Sequence, residues 1–274
     1  MKQMKLIADD ITKPTTVKDF LKRRGFSVTL IKQVKYGGIM LRGEVVTVRA
    51  TVYPCDELTV SLPERTSEGI EPMDIPVKVI YEDEYILAVD KPTNMPTHPS
   101  KGNSLPTLAN AVMGMYGGNF VFRSVNRLDR DTSGIVLIAK DQMTSNLLSA
   151  EMKAGKFGKK YVCIVEGVPS PREGRIEAPI ERECEGSIKR IVRPDGKYAL
   201  TEYKVCEVLG DASLLEVKLH TGRTHQIRVH MAHIGCPLRG DYLYGERRGE
   251  EYFLRCTELS FPHPYTGEEI VLRA

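Results

Sequence analysis

The spacing of apolar residues in the first sixty positions predicts two short helices followed by small strands. Each helix begins at a residue that can cap it and ends at glycine. The caps are Thr16, in a capping-box-like sequence, and Ser27, and the ends are Gly25 and Gly37. Short strands with alternating apolar residues are predicted next, at 39–41, 44–49 and 58–62. This part of the chain is therefore predicted to be a small α/β unit.

A different pattern begins after residue 76. Prolines and acidic residues between 63 and 76 are typical of a linker. Helices are predicted from Thr107 to about Tyr116 and after Asp141, and the stretch 168–200 is predicted to be a surface hairpin or loop. Strands are predicted at 77–81, 85–89, 135–139, 160–165, 201–208, 213–220 and 270–273. The chain therefore divides into a unit over 1–62, a linker over 63–76 and a large mixed domain over 77–274.

Composition excludes several classes of protein. The chain has 274 residues, of which 41% are hydrophobic and 27% charged, as in ordinary globular proteins. Its apolar runs are far shorter than the ~20 residues of a membrane-spanning helix, and its first ten residues carry charges unlike a signal peptide. The six cysteines are widely spaced, which favours neither a disulfide framework nor a cysteine zinc site. We expect a cytoplasmic monomer with no membrane partner.

Net charge is +3, but it is unevenly distributed. Residues 1–62 hold 11 lysines and arginines against 6 acidic residues, a net +5, and the remainder holds 28 against 30, a net −2. A basic excess confined to one unit indicates an anionic partner there, with nucleic acid as the leading candidate. The candidate phosphate contacts are Lys22, Arg23, Arg24, Lys32 and Lys35.

The charged cluster 126–134 directly precedes the apolar strand 135–139. A cluster in that position is typical of a loop that presents an acid, here Asp129, between Arg127 and Arg130. Neighbouring positive charge favours the carboxylate form, and an ionised aspartate can act as a nucleophile or a base. A salt-bridged turn without catalytic function fits the same pattern equally well.

A second polar cluster, residues 220–231, follows an alternating strand and opens a predicted helix. The histidines at 225, 230 and 233 suggest a metal site, but His225 and His230 do not share a helical face and no acidic ligand lies nearby in the sequence. The pattern favours instead a brace in which Arg223 or Arg228 reaches a buried carboxylate elsewhere. Arginine suits that bidentate role and lysine does not.

Tyr161 begins a strand after the glycine-containing turn at 155–158. A tyrosine there is either half-buried filler or a platform on which a base stacks, at a typical gain of ~1–3 kcal/mol. No Walker loop and no G-x-G-x-x-G sequence precedes a helix. The sequence therefore predicts no nucleotide cofactor.

Ordered motifs in the large domain resemble those of the RluA-type RNA pseudouridine synthases. N-R-L-D-R-D-T-S-G at 126–134, with Ala139–Lys140 behind it, closely resembles the H-R-L-D-x-x-T-S-G…A-K signature of that family. The other similar segments are the opening strand pair at 81–92 followed by His98–Pro99, the tyrosine motif at Tyr161, T-G-R-T-H-Q-I-R-V-H at 221–230 and G-x-P…G-D…Y-G at 235–245. The similarity covers 77–274, and residues 1–62 resemble a small S4-type RNA-binding domain.

The resemblance implies an isomerase that converts uridine in structured RNA to pseudouridine, without a metal or other cofactor. It also implies an α+β fold, with a mixed, mainly antiparallel sheet, flanking helices and a cleft across the sheet. A base inside stacked RNA cannot be reached, so the target nucleotide must be flipped out. Ribosomal RNA, of the large subunit, is the favoured substrate, with transfer RNA as the alternative.

The resemblance also assigns roles to site residues. Asp129 would be the essential carboxylate, which acts on the ribose either by attacking C1′ or by removing a proton from C2′. Arg228 would be the partner of Asp129, and Tyr161 would stack on the uracil and help to move the C5 proton. Ile227 would pack beside it, Arg127 would enter the stack that the flipped base leaves, and Arg223 would be a further RNA contact.

One departure from the family motif and two alternative functions have to be considered. The family usually has His where this chain has Asn126, which forms hydrogen bonds but does not titrate near neutral pH, so we expect activity to survive. An RNA-binding protein with an inactive catalytic domain is disfavoured by the intact Asp129, Tyr161 and Arg228. A glycosidase would need a second carboxylate, for which Asp131 is the near candidate.

Overall fold

The computed structural model describes residues 2–62, 69–100, 106–245 and 251–274. The N-terminal unit, residues 2–62, has its own hydrophobic core, and a larger core lies in the rest of the chain. The two cores are linked through one helix of the large unit, whose first turns contact the small unit. This helix, Gln142–Lys153, holds the two units together.

The N-terminal unit combines two helices with two small sheets. Its elements are β1 (Lys2–Ile7), β2 (Thr15–Thr16), α1 (Val17–Arg23), α2 (Val28–Val34), β3 (Ile39–Leu41), β4 (Glu44–Val45), β5 (Thr51–Val52) and β6 (Glu57–Leu62). The strand orders of the two sheets are β1-β6-β3-β4 and β2-β5. Both helix starts are confirmed, because Thr16 Oγ1 accepts the N–H of Asp19 and Ser27 Oγ accepts that of Leu30. Strand β1 is absent from the prediction.

The large unit is built on one sheet, which has nine strands within the described ranges. The elements of the large unit are β7 (Lys78–Glu82), β8 (Ile86–Lys91), α3 (Leu108–Met115), β9 (Ser133–Ala139), α4 (Gln142–Lys153), β10 (Gly158–Glu166), β11 (Glu173–Glu177), β12 (Ile180–Arg182), β13 (Arg190–Val192), β14 (Leu200–Leu209), β15 (Ala212–Leu219), α5 (Gln226–His233), β16 (Leu254–Pro262) and β17 (Glu269–Arg273). The strand order of the large sheet is β11-β14-β15-β10-β16-β9-β8-β7, with β17 also paired to β16. The pairing of β9 with β16 is parallel and the other pairings are antiparallel, which confirms the predicted mixed, mainly antiparallel sheet.

Local capping explains where the helices of the large unit begin. Thr107 caps α3 in a reciprocal capping box with Asn110, and Asp141 caps α4 by accepting the N–H of Thr144 at 2.8 Å. Both starts are confirmed. Between residues 168 and 200 lie β11 and the hairpin β12–β13, which confirms the predicted hairpin.

Strand β16 brings the motifs together. Tyr161 on β10 pairs with Cys256 on β16, and Cys256 pairs in turn with Gly134 on β9, so the three lie side by side across the sheet. Gly134 has φ +108°, and a Cβ there would lie 2.2 Å from the carbonyl oxygen of Cys256. Only glycine fits this close approach, which places the end of the Asp129 loop against β16.

The described part of the predicted linker is packed against the large unit. Met73 donates its N–H to the carbonyl of Asn110 in α3 at 3.0 Å, and Asn110 Nδ2 donates to the carbonyl of Glu71 at 2.8 Å. A Cβ on Gly114 would lie 2.0 Å from the oxygen of Met73. The predicted linker is therefore not a free connection over 69–76, because its backbone hydrogen-bonds to α3. The prediction for 63–68 lies outside the described residues.

Helix α4 joins the two units. Met143 is buried in the core of the N-terminal unit, and a Cβ on Gly25 would lie 2.6 Å from Leu147. Asn146 Nδ2 also donates to Ser27 Oγ at 3.3 Å. Deletion of the N-terminal unit would expose Met143 to water, so substitutions test that unit more cleanly than truncation.

Candidate active site

The loop that carries Asp129 is held from both sides. Asn126 is buried and bridges to strand β9, because its Nδ2 donates to the carbonyl of Ile135 at 3.0 Å and its Oδ1 accepts the N–H of Leu137 at 2.8 Å. On the other side, Thr97 Oγ1 donates to the carbonyl of Leu128 at 2.8 Å. The side chain of Asp129 is 34% exposed. Asn126 therefore supports the loop through neutral hydrogen bonds that need no titrating group.

A buried lysine holds the same loop at the residue that follows Asp129. Lys91 is fully buried and its Nζ donates to the carbonyls of Pro92, Met95 and Arg130 at 2.8, 2.6 and 3.0 Å. All three ammonium hydrogens can be satisfied by these oxygens. Burial lowers the pKa of Lys91 to about 8, opposed by the charges of Asp131 and Asp129. Three carbonyl contacts hold the segment after β8 against the residue next to Asp129.

Arg228 lies beside Asp129 but its bidentate partner is Asp241. Its Nε and Nη2 each donate to a carboxylate oxygen of Asp241 at 2.7 Å, whereas Nη1 lies 3.8 Å from Asp129 Oδ2. The side chains of Arg228 and Asp241 are 4% and 0% exposed. Although burial opposes it, hydrogen bonding to Asp241 raises the pKa of Arg228. Arg228 therefore lies within ion-pair distance of Asp129, as predicted, while its hydrogen-bonded partner is Asp241, which is the buried carboxylate of the predicted brace.

Arg130 is likewise committed to another acid. Its guanidinium donates to both oxygens of Asp131, at 2.8 and 3.0 Å. The expectation that Arg127 and Arg130 both hold Asp129 ionised therefore fails for Arg130, because the neighbouring Asp131 lies in the better geometry. Asp131 in turn is an ion-pair partner rather than a free second carboxylate.

Three tyrosines enclose the Arg228 guanidinium. Its carbon lies 5.4, 5.0 and 5.7 Å from the ring centroids of Tyr242, Tyr244 and Tyr252. Asp241 also accepts the backbone N–H groups of Leu243 and Tyr244, at 2.9 and 3.1 Å. Cation–π contacts and these hydrogen bonds fix Arg228 in one orientation.

Tyr161 and Ile227 form the apolar side of the site. They are 7% and 4% exposed. Burial raises the pKa of the Tyr161 hydroxyl well above its ordinary value, and the neighbouring Cys256 acts in the same direction. Tyr161 is therefore a neutral, largely desolvated ring.

The start of α5 is held by an amide side chain. Gln226 Oε1 accepts from Thr221 Oγ1 at 2.8 Å and from the N–H of Arg223 at 2.9 Å, while its Nε2 donates to the carbonyl of Leu200 at 3.0 Å. These bonds fix the turn before the helix. Arg223 is exposed, donates its Nε to the carbonyl of Tyr198 at 2.8 Å and lines the cleft.

A cleft of about 890 Å³ collects the six predicted residues of the large domain, which are Arg127, Asp129, Tyr161, Arg223, Ile227 and Arg228. That volume is within the range of ligand sites in proteins. Its lining includes apolar side chains such as Leu128 and Ile227 and charged side chains such as Asp129 and Arg228. The arrangement suits a planar ring stacked on Tyr161 with its polar edge toward Asp129.

The predicted phosphate contacts of the N-terminal unit lie outside the cleft. Lys22, Arg23 and Lys32 are exposed, and Lys35 lies with its Nζ 4.6 Å from the ring centroid of Tyr36. Arg24 is different, because its Nη2 donates to the carbonyl of Ile7 and to the carboxylates of Asp9 and Asp10. The prediction of Arg24 as a phosphate contact is corrected, since its guanidinium neutralises acids of its own unit.

Sequence reasoning missed other residues of the site. Asp241 and His225 belong to quoted motifs, but nothing in their spacing indicates their contacts, and Lys159 also lines the cleft. Of the histidines considered as metal ligands, His225 contacts Tyr244, and His230 contacts Thr201 and the carbonyl of Ala178. Within the described ranges, no group of three or more His, Cys, Asp or Glu side chains is arranged to hold a metal ion.

Comparison with known proteins identifies similar chains. Residues 85–233 match the family model described as RNA pseudouridylate synthase. The chain is 38% identical over 267 residues to uncharacterized RNA pseudouridine synthase YjbO of Bacillus subtilis, with 94% of each chain covered. It is 35% identical over 268 residues to ribosomal large subunit pseudouridine synthase D of Xanthomonas campestris, which covers 88% of this chain and 78% of that protein.

A solved structure agrees with these matches. Human RNA pseudouridylate synthase domain containing 1 superposes with a TM-score of 0.62 at 25% identity, and covers 73% of this chain and 83% of that chain. Among the helices in the described part of the chain, none is long and apolar enough to cross a membrane.

Proposed function

The chain belongs to the RNA pseudouridylate synthase family, and on that premise we propose that it converts uridine to pseudouridine in ribosomal RNA of the large subunit. In this isomerisation the N1–C1′ bond breaks and a C5–C1′ bond forms. C5 loses a proton and N1 gains one, so the reaction has no net redox change. The target uridine must leave the RNA stack before a protein side chain can reach its ribose.

Asp129 carries the proposal. Its carboxylate is one-third exposed at the cleft, and the nearest guanidinium nitrogen of Arg228 is 3.8 Å away. That separation leaves the carboxylate oxygens of Asp129 available to substrate. Asp129 acts on the ribose, either by attack at C1′ or by removal of a proton from C2′.

The other cleft residues receive roles that match their burial. Tyr161 stacks on the uracil, and its ring is already removed from water, so stacking requires little further desolvation. Ile227 packs beside that base. Arg127 is exposed and enters the stack that the flipped base leaves. Arg223, at the rim, contacts the RNA backbone.

The N-terminal unit docks the RNA. Its net charge of +5 and its exposed Lys22, Arg23 and Lys32 support phosphate contacts outside the cleft. We regard the unit as S4-like on the sequence resemblance. RNA recognition of this kind reads shape and backbone, which suits a structured ribosomal target.

The choice of ribosomal RNA is supported by similarity to relatives named for the large ribosomal subunit. The test uses the full chain with separate transcripts of large-subunit RNA, small-subunit RNA and transfer RNA, each carrying 5-³H-uridine. We expect tritium release from large-subunit RNA alone, at a uridine that sequencing of the product locates. Release from transfer RNA alone would disprove the ribosomal substrate, and no release from any RNA would disprove the activity.

A further inference from the structure

His225 stands next to the candidate catalytic carboxylate. Its Nε2 lies 3.8 Å from Asp129 Oδ2, which is longer than a hydrogen bond, and both residues line the cleft. The side chain of His225 is 13% exposed. Its Nε2 therefore lies close to Asp129 without forming a hydrogen bond to it.

The imidazole is held firmly from behind. Its Nδ1 lies 2.8 Å from the hydroxyl oxygen of Tyr244, which also accepts the N–H of Arg190 at 2.9 Å. The rings of His225 and Tyr244 meet edge to face at 5.7 Å. In the tautomer whose Nδ1–H donates to Tyr244, the lone pair lies on Nε2 and points toward the cleft.

The backbone of His225 has a positive φ. It has φ +58° and ψ +20°, the left-handed region, at the position that caps α5. Residues other than glycine are uncommon there, and strained residues cluster at functional sites. His225 makes no side-chain capping hydrogen bond, so helix capping does not account for its presence.

We propose that His225 is a second catalytic residue, whose Nε2 accepts the proton that leaves C5 of the uracil. The proposal rests on the proposed function. After the C5–C1′ bond forms, C5 carries both its hydrogen and the ribose. The proton passes to Nε2, the electron pair of the C–H bond restores the C5–C6 double bond, and N1 takes a proton from solvent. His225 then returns its proton to solvent.

The surroundings suit a base at this position. Burial lowers the pKa of His225, with Asp129 and Asp241 opposing and Arg228 and Arg190 reinforcing that shift, so the ring is neutral near pH 7. An imidazolium that forms there is stabilised by the carboxylate of Asp129. Tyr161 is the poorer base, because burial makes its hydroxyl hard to ionise.

The decisive variant is His225→Asn. Asparagine tolerates the left-handed backbone and can keep a hydrogen bond to Tyr244, but it offers no base. We expect the single-turnover rate on uridine RNA to fall about 10²–10⁴-fold, as for loss of a general base. On RNA with 5-fluorouridine at the target, which has no C5 proton, formation of the C5-linked nucleoside should proceed at the wild-type rate.

A second variant, His225→Gly, keeps the experiment valid if the asparagine variant is poorly folded. Glycine adopts φ +58° without strain and leaves a space for added imidazole. Imidazole should restore the rate on uridine RNA in proportion to its concentration, and substituted imidazoles should rescue according to their basicity. Arg228→Ala serves as a control that imidazole should not rescue.

The outcomes separate the two proposals. Wild-type activity of His225→Asn on uridine RNA, an equal loss on both RNAs, or failure of imidazole rescue would each overturn the role of His225. An inactive wild-type enzyme on both RNAs would instead disprove the proposed function. Asp129→Asn should be inactive on both RNAs, because its action on the ribose precedes loss of the C5 proton.

Discussion

Two of the bidentate arginine–aspartate pairs, Arg42 with Asp56 and Arg228 with Asp241, have nearly the same geometry in very different surroundings. Arg42 grips Asp56 in the N-terminal unit with donor–acceptor distances of 2.8 and 2.7 Å, and Arg228 grips Asp241 with 2.7 and 2.7 Å. The first pair is 56% and 12% exposed, and the second is 4% and 0% exposed. The same hydrogen bonds contribute little to stability in water, but inside the protein the loss of one partner leaves a buried charge uncompensated.

This contrast extends to the two regions. In the N-terminal unit, exposed cations such as Arg23 and Lys32 stand in water, where their charge acts at long range and salt screens it. Beside Asp129, the charges of Arg228 and Asp241 are removed from water and act at contact, where orientation matters more than net charge. The N-terminal unit is therefore suited to attract RNA, and the cleft to react with one nucleotide.

Removal of the charge on Asp129 should have the largest effect of any single change. Asp129→Asn keeps the shape of the side chain and removes its basicity, so turnover should fall at least about 10³-fold. Tritium release from 5-³H-uridine RNA measures the loss, and filter binding of the same RNA should show little change in Kd. A fall of less than about 10³-fold would contradict the assignment.

The two arginines provide the direct test of the comparison. Arg228→Ala should destabilise the protein by about 3–5 kcal/mol, because Asp241 is left buried and unpaired. Arg42→Ala, the matched control, should leave the melting temperature nearly unchanged. Urea unfolding of both variants measures the difference.

Activity gives a second measure of the same site. Arg228→Lys restores charge but not the bidentate geometry, so it should recover part of the stability and little of the rate. Equal stabilities of Arg228→Ala and Arg42→Ala would mean that burial does not distinguish the two pairs.

Salt dependence should identify the region that attracts RNA. The double variant Arg23→Ala/Lys32→Ala should flatten the plot of log binding constant against log salt by ~0.7–0.9 for each phosphate contact removed. Lys78→Ala, which removes an exposed charge from the large unit, is the matched control. Single-turnover rates at saturating RNA should change little, and parallel slopes for wild type and double variant would exclude the docking role.

The smallest expected effect concerns the exposed pair and pH. Hydrogen bonding from Arg42 lowers the pKa of Asp56 below its ordinary value. The folded state therefore binds the proton less readily than the unfolded state, so the stabilisation is present above about pH 4 and disappears as the pH falls further. The stability difference between wild type and Asp56→Asn should shrink between pH 5 and pH 2. A difference that stays constant over that range would show that the pair does not influence folding.

Local features could be predicted from the sequence and nonlocal ones could not. Capping residues such as Thr16 and Asp141 act on the next turn of their own helix, so their effect is visible in a few residues. Strand β1 is marked only by Met4 and Leu6, and its partner β6 lies some fifty residues later. A pattern that weak indicates a strand only once the partner is known.

Strand β16 shows why a central element can escape prediction. Its apolar residues alternate through Leu254 and Cys256 and resume one position late at Leu259. The register against β10 shifts at the same place, because Thr257 is an extra residue, a β-bulge. A bulge interrupts the two-residue period on which strand prediction depends.

The same limit applies to the site. The resemblance placed Asp129, Tyr161 and Arg228 in one cleft, where the structure also has them. It could not show that Asp241 binds Arg228, or that Arg24 is tied to Asp9 and Asp10, because partner choice among many charged residues depends on three-dimensional proximity.

Helix α4 has a further consequence as a spacer of fixed length. Met143, near its beginning, is seated in the N-terminal unit, and Lys153, its last residue, lines the cleft. The two residues lie ten positions apart on the helix, which corresponds to a rise of about 15 Å along its axis. An RNA gripped by the small unit would therefore present its reactive nucleotide at a set distance from the grip. The choice of one uridine would then depend on the distance between the N-terminal unit and the cleft, and one added turn of α4 would change that distance by about 5.4 Å.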